Sequence, residues 1–304
     1  MRAGLDLKRG LSKMSHARAY RKYAYETLGI VKTTSDRARD VVATQATYDE
    51  QEERVASTAE AIYRSFFGYR DAFPTPEQES GWASSVWTMA CTKTGITIAT
   101  SINLAERLAG IGPRFRSTVK EKIMPLVERY YGFETSKAPE SLSHNIELAR
   151  ALKTDGAFSK GDEEHALPYR HRIIQQAINI IWFNDRSSDG VVFPNFFNPM
   201  PYEAIAVVLT AIECCIDEWS HGPWIRIPFA YGNYKEVYCD HLEALKGLSD
   251  QGLQLRSCDP LRQLRSEIFN KGRDHAGVPR RSINQGDHWT RNQVDAACDK
   301  ALST

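Results

Sequence analysis

The feature that most constrains the fold is an apolar run over residues 204–212, which continues through residues 214–216. A membrane span needs roughly 20 apolar residues, so this run predicts a buried helix and not an anchor. We place the helix over residues 199–219, with Asn198 as its cap and prolines at its start. A helix that is apolar on most sides must lie at the centre of a fold.

Elsewhere apolar residues recur at spacings of three and four, which is typical of amphipathic helices. The pattern predicts helices over residues 35–67, 76–90, 114–131, 139–152, 169–183, 234–248 and 261–269. Residues 110–113 are predicted to form a loop, and residues 190–193 and 224–227 two short extended segments that pair. The predicted fold class is all-α, with at most a short two-stranded hairpin.

The domain organisation follows from composition. With 304 residues, 42% hydrophobic and 25% charged, the chain is not intrinsically disordered and suits one or two domains. We predict a basic N-terminal segment over residues 1–32, a single helical domain over residues 33–270 and a polar C-terminal tail over residues 271–304.

Cellular location is predicted from the N-terminus and the cysteines. No apolar segment follows Met1, so we expect no secretory signal, and no membrane partner is predicted. The six cysteines form no Cys-x-x-Cys pair, and most lie in apolar helical stretches. We therefore expect reduced thiols in an intracellular protein, either cytoplasmic or nuclear.

Positive charge is concentrated at the N-terminus. Residues 1–22 contain seven cations against Asp6 alone, a charge of +6, so the rest of the chain carries −5. The cations are Arg2, Lys8, Arg9, Lys13, Arg18, Arg21 and Lys22. Tyr20, Tyr23 and Tyr25 lie at the end of this run, and basic residues also recur from 262 to 291. Because cations neutralise phosphates and aromatic rings stack on bases, these seven residues are the predicted nucleic-acid-binding site.

Motifs for catalysis are missing: we find no phosphate loop, zinc-protease motif, nucleophile elbow or dinucleotide fingerprint. Glu213 and Asp217 share a helix face, with Glu218 beside them, and such carboxylates can hold Mg²⁺. We favour a polar stripe paired with a neighbouring Lys or Arg. No catalytic residue, metal ligand or cofactor is therefore predicted.

Two further groups of residues have ordinary interpretations. Residues 184–188 resemble half of the metal motif of helical terpene cyclases, but Val192 stands where an acid is needed, so an Asx-type turn is favoured. The cysteines and histidines at positions 214, 215, 221, 239 and 241 do not converge as zinc ligands do, so core thiols are favoured. His144, His165 and His171 are interpreted as structural or surface residues.

Several segments resemble an uncharacterised domain family, DUF6532, which is abundant in mushroom-forming (basidiomycete) fungi. The resemblance rests on residues 192–201, 211–219 and 238–242, supported by Trp87, Ala90, Cys91 and residues 129–133. It covers roughly residues 50–250 and leaves out the basic ends. It implies an all-helical domain with no assigned activity and a fungal, intracellular origin.

Three functions are compatible with the sequence. The leading hypothesis is a non-enzymatic helical interaction module that binds nucleic acid through its basic ends, in mobile-element-rich fungal genomes. The first alternative is a metal-assisted enzyme with a pocket lined by Glu213 and Asp217. The second is a self-associating structural protein, in which the aromatic residues from Tyr63 to Phe73 form an exposed patch. Whether the protein is an enzyme is left open.

Overall fold

The structure is a computed structural model that describes residues 42–99, 102–161 and 168–278. Every regular element in these ranges is helical, which confirms the all-α prediction. The helices are α1 Val42–Tyr69, α2 Pro76–Thr94, α3 Ile102–Ala109, α4 Ile111–Tyr131, α5 Pro139–Lys153, α6 Arg172–Trp182, α7 Asp189–Val192, α8 Pro194–Phe197, α9 Tyr202–Asp217, α10 Tyr231–Arg256 and α11 Arg262–His275. A 3-10 segment, Thr154–Ser159, follows α5.

The described chain divides into two compact units. The first contains residues 42–66 and Pro74–Gly112, which hold most of α1 together with α2 and α3. The second contains Phe67–Phe73 and residues 113–278, which hold nearly all of α4 and the helices from α5 to α11. The predicted boundaries of a single helical domain over residues 33–270 remain a prediction.

In the first unit, α2 begins at Pro76 as predicted, and a complete capping box precedes it. The Gln78 backbone N–H donates to Thr75 Oγ1 at 3.3 Å, and the Thr75 backbone N–H donates to Gln78 Oε1 at 2.8 Å. These two bonds satisfy donors that a helix start would otherwise leave unpaired. Trp82 then packs edge-on against Tyr63 and Phe66, with ring centroids 6.2 and 5.6 Å apart.

The aromatic residues at the end of α1 are buried, so the predicted exposed aromatic patch is wrong. The buried set is Tyr63, Phe66, Phe67, Tyr69 and Phe73. In the second unit, Phe67 stacks on Phe115 at 5.7 Å and Phe73 meets Phe229 edge-on at 5.4 Å. Each ring has an aromatic partner from a distant part of the chain, and local spacing does not reveal such partners.

Helix α9 is the centre of the second unit, as its apolar run predicted. All of its apolar side chains from Ala204 to Ile216 are buried, and α10 packs along it. Burying a large aliphatic side chain contributes about 1.5–3 kcal/mol, so this helix makes a large contribution to the stability of the unit. Within the described ranges, the structure contains no helix both long and apolar enough to span a membrane.

The start of α9 differs from the prediction. Asn198 does not cap it, because the helix begins at Tyr202 and Pro201 takes the cap position without a side-chain bond. Asn198 lies three residues earlier in extended backbone, before a cis peptide bond to Pro199. The prolines impose extended geometry on the residues before them, which delays the helix.

The predicted hairpin is also wrong, since the described ranges contain no strand. Residues 190–193 fall largely in the short helix α7, where Gly190 is buried. Residues 224–227 are extended but pair with Glu218, whose carbonyl accepts the Ile225 N–H at 2.8 Å. The predicted loop at residues 110–113 is reduced to Gly110, because α4 begins at Ile111.

Phe183 lies between two glycines that hold neighbouring helices close to it. A Cβ atom on Gly190 of α7 or on Gly272 of α11 would lie 2.6 Å from the ring. Real Cβ atoms do not approach this closely, so both positions require glycine. Phe183 itself is fully buried and meets Phe269 edge-on at 5.7 Å.

Candidate functional site

The seven predicted nucleic-acid-binding cations, Arg2, Lys8, Arg9, Lys13, Arg18, Arg21 and Lys22, lie outside the described residues. Their role remains a prediction. The weaker basic bias after residue 261 is only partly available for a ligand. Arg265 and Arg273 of α11 are buried, and Arg265 Nε donates to the Met200 carbonyl at 2.6 Å.

The carboxylates of Glu213 and Asp217 converge, but a lysine lies between them. Lys153 Nζ, at the end of α5, lies 3.2 Å from Glu213 Oε1 and 2.6 Å from Asp217 Oδ1. His241 Nε2 of α10 bonds Glu213 Oε2 at 2.9 Å, and the Tyr234 hydroxyl donates to Asp217 Oδ2 at 3.0 Å. We call these five residues the α9 ion-pair network. Its lysine confirms the preferred interpretation of a paired polar stripe.

The network favours the charged forms of Glu213 and Lys153. Burial alone would raise the pKa of Glu213, but the hydrogen bond and charge of His241, with the charge of Lys153, lower it overall. Burial alone would lower the pKa of Lys153, but its contacts with Asp217 and Glu213 raise it. The groups neutralise one another across α5, α9 and α10. This arrangement is that of a structural ion-pair cluster.

Glu218 belongs to a different environment from its two neighbours. Its side chain is fully buried and pairs with Lys120 of α4. Its carboxylate also accepts the Trp224 indole N–H at 3.2 Å and the Ile227 backbone N–H at 2.8 Å. The structure therefore separates the three carboxylates that the sequence grouped. Among the residues described, no three His, Cys, Asp or Glu side chains are placed to hold a metal ion.

The segment over residues 184–188 forms the predicted Asx-type turn. Asp185 Oδ1 accepts the Ser187 backbone N–H at 2.8 Å and the Ser187 hydroxyl at 2.6 Å. These bonds to Ser187, with further bonds from Asn184 and Ser188, lower the pKa of Asp185 to about 2. The Asp185 carboxylate therefore forms its hydrogen bonds within the turn, and this turn follows the end of α6.

The central cysteines are core thiols, as predicted. Cys214 and Cys215 are buried in α9, and burial raises the pKa of Cys214 to about 11. A thiol with so high a pKa is a poor nucleophile and a poor metal ligand at neutral pH. His241, which the sequence grouped with these cysteines, is bonded to Glu213 instead.

A second cluster, which the sequence analysis did not predict, lies where α4 ends and α6 begins. Arg129, Tyr130, His171 and Arg172 line a cavity of about 300 Å³. The guanidinium carbons of Arg129 and Arg172 lie 6.0 and 5.8 Å from the centroid of the Tyr130 ring. The His171 ring meets Tyr130 edge-on at 5.9 Å. We call this the basic–aromatic cavity.

Local structure fixes both sides of the cavity. Helix α4 ends at Tyr131, as predicted, and the next residue, Gly132, adopts a φ of 80°, which is typical of the residue after a helix end. Helix α6 begins with His171 as its cap, since His171 Nδ1 accepts the Ile173 N–H at 3.2 Å. His171 also packs on Tyr131 at 5.3 Å, and the Tyr131 hydroxyl donates to the Phe158 carbonyl at 2.7 Å. The position of the His171 ring is therefore fixed by contacts within the protein itself.

Only a weak local pattern in the sequence indicates this cavity. From the sequence, Arg129 and Tyr130 are noted only as part of the family resemblance. His171 is interpreted there as a structural or surface residue. Arg172 lies more than forty positions beyond Arg129, so only the fold brings the two together. The one usable sequence clue is the pairing of an arginine with an aromatic residue at each of the two helix ends.

The sequence profile of a family described as "Domain of unknown function (DUF6532)" matches residues 58–248, which is more than half of the chain. No curated protein and no solved structure gives a significant match. The matched span begins within α1 and ends within α10, and it includes the basic–aromatic cavity and the α9 ion-pair network.

Proposed function

We propose that this chain, which belongs to the DUF6532 family, is a non-catalytic helical module that binds nucleic acid. The observation that carries the proposal is the basic–aromatic cavity, whose lining consists of two arginines, a histidine and a tyrosine. Guanidinium groups bind phosphate oxygens through paired N–H donors, and aromatic rings accept stacked bases.

The charge at the N-terminus supports the same function. Residues 1–22 add a charge of +6 to a chain whose remainder carries −5. Such a segment neutralises phosphates without regard to sequence and raises the rate of encounter with a polyanion. In the proposed arrangement it supplies general affinity, while the basic–aromatic cavity supplies a defined contact. A fungal, intracellular origin, in a genome rich in mobile elements, is part of the proposal.

The two alternatives have weaker support. A metal-assisted enzyme would need Glu213 and Asp217 to face a cation, but Lys153 Nζ already contacts both. Self-association through the aromatic residues of α1 would need them exposed, and they are buried. Calorimetry with Mg²⁺ and Mn²⁺ tests the first alternative, and metal uptake that Glu213→Gln abolishes would revive it.

A salt titration with a 30-mer duplex tests the proposal. If about six phosphates are neutralised, log affinity falls with log salt at a slope of about −5. Deleting residues 1–22 should remove most of this dependence of affinity on salt. Arg129→Gln with Arg172→Gln should make the slope shallower by about one for each phosphate no longer neutralised, whereas the exposed Arg150→Gln in α5 is the matched control. Absence of binding at low salt, or binding unaltered in both variants, would overturn the proposal.

A further inference from the structure

The basic–aromatic cavity is small and concave. Its volume of about 300 Å³ lies at the lower end of the range for ligand pockets, about 300–1,000 Å³. Four residues from two helix ends form its lining, so it has room for one group. An internal stretch of a nucleic-acid strand continues on both sides of any contact, so it fits an open groove better than a small cavity. A cavity of this size suits the end of a strand.

The charge of the lining matches a phosphate monoester. Arg129 and Arg172 approach the same tyrosine ring, so both guanidinium groups are within reach of a single ligand. A phosphate monoester carries about −1.5 to −2 at pH 7, whereas each internal phosphodiester carries only −1. The N–H donors of two guanidinium groups in one lining suit a terminal phosphate, which offers three acceptor oxygens, better than an internal phosphodiester, which offers two.

The lining also contains aromatic side chains that can contact the nucleoside that bears the phosphate. Tyr130 is half-buried and lines the cavity together with the two arginines. His171 is fixed by its bond from Ile173 and by its contact with Tyr131. An apolar ring beside a cationic site is the arrangement that binds a terminal nucleotide by stacking and charge together.

We propose that the basic–aromatic cavity binds the terminal phosphate monoester of a nucleic-acid strand, with Arg129 and Arg172 on the phosphate and Tyr130 beside the last nucleotide. This inference rests on the proposed function and deepens it, because it names the strand end as the feature that is recognised. Inorganic phosphate and mononucleotides share the monoester chemistry, and a phosphopeptide offers it on a different macromolecule.

The test uses the full chain and fluorescence anisotropy. Single-stranded 12-mers are compared with a 5′-phosphate, with a 3′-phosphate and with hydroxyls at both ends. We expect a phosphorylated end to bind about tenfold more tightly, which is what one added charge-assisted hydrogen bond supplies. Arg129→Gln and Arg172→Gln should each remove this preference, and Tyr130→Leu should weaken it. Arg150→Gln, matched in exposure, should preserve it.

Each outcome supports or overturns the inference. Equal binding of phosphorylated and hydroxyl strands overturns it while leaving the proposed function intact, whereas no binding of any strand overturns both. Inorganic phosphate, adenosine monophosphate and a phosphoserine peptide serve as competitors. If any of them competes as well as the phosphorylated strand, the site is not specific for a strand end. Thermal unfolding confirms that each variant is folded, and Arg172→Lys provides a second variant that keeps the charge.

Discussion

At the scale of single residues, the buried carboxylate of Glu218 is held by three partners. Lys120, Trp224 and Ile227 all bond to it, and its side chain has no exposed surface. Lys120 also donates to the Ile227 carbonyl, so one ion pair fixes the segment after α9 to α4. Removing one partner of a buried pair leaves an uncompensated charge, which costs more than the pair itself contributes.

We therefore expect Lys120→Met to lower the free energy of unfolding by about 3–5 kcal/mol. The double variant Lys120→Met with Glu218→Leu should recover much of that loss, because no charge is then left buried. The exposed Lys137→Met is the control and should change stability by less than about 0.5 kcal/mol. Urea titrations measure all three. If Lys120→Met lowers the free energy of unfolding by less than about 1 kcal/mol, Lys120 does not form a buried ion pair with Glu218.

The α9 ion-pair network predicts a dependence of stability on pH. The pKa of Glu213 in the folded chain is lowered from its ordinary value of 4.5, so its contribution is fully present above that pH. The contribution is lost as the pH falls through the lower, folded value. Glu213→Gln should therefore destabilise the protein by about 1–2 kcal/mol at pH 7 and by much less near pH 3.

Denaturant unfolding at pH 7 and pH 3 measures this difference. The control is Glu236→Gln, which changes an exposed carboxylate on α10 and should have the same small effect at both pH values. A destabilisation by Glu213→Gln that does not vary with pH would mean that packing, and not charge, accounts for its effect.

Thiol reactivity follows from the exposure of each cysteine. Cys258 is exposed, while Cys214 and Cys215 are buried and burial raises the pKa of both thiols. Since the thiolate is the reactive form, an alkylating reagent at pH 8 should label Cys258 within minutes. Cys214 and Cys215 should react only after denaturant is added. Mass spectrometry of the digested protein identifies the labelled positions, and early labelling of Cys214 would contradict the buried α9.

At the scale of helices, local chemistry predicted which segments are helical and, in places, where they end. Pro76 starts α2 and Gly132 ends α4, because both positions depend on local backbone preferences. The sequence misplaced the features that depend on tertiary contacts. Helix α1 continues past the predicted end at residue 67 to Tyr69, and the Trp182 ring packs against Gly68, where a Cβ atom would lie 2.9 Å from it. Residues 190–193, predicted to be extended, are largely helical, and Gly190 packs against the Phe183 ring.

The contact around Phe183 gives a matched pair of alanine substitutions in two helices. Gly272→Ala in α11 would place a methyl group 2.6 Å from the Phe183 ring, so it should destabilise the protein by about 1–3 kcal/mol. Gly247→Ala in α10 meets no atom within 4 Å and should stabilise it by about 0.5–1 kcal/mol. Thermal unfolding of both variants decides this. If Gly272→Ala is neutral, the ring and α11 are not in close contact.

At the scale of the whole molecule, charge is the property that the sequence predicts best. Deleting residues 1–22 changes the net charge from +1 to −5 at pH 7. The shortened chain should therefore bind an anion exchanger at pH 7 that the full chain passes through. Deleting residues 279–304, with four cations and three carboxylates, is the control and removes only +1. Retention of the full chain on the anion exchanger would show that its acidic surface dominates.

The candidate site shows where prediction from sequence reached its limit. The pairing of Glu213 and Asp217 with a lysine was predictable, because two carboxylates four residues apart on a helix attract a cation. That the cation is Lys153 was not, since only packing brings α5 to α9. The basic–aromatic cavity was missed for the same reason: Arg129 and Arg172 become neighbours only after the chain has folded.

The segment fixed by Glu218 also provides an optical probe. Trp224 keeps 44% of its surface exposed while its indole N–H bonds to a buried carboxylate, and Trp182 and Trp219 are almost fully enclosed. A collisional quencher such as acrylamide should therefore reach Trp224 long before it reaches the other two rings. Its emission should shift in wavelength when the Lys120–Glu218 pair opens, so the opening of this pair can be followed without attaching a dye.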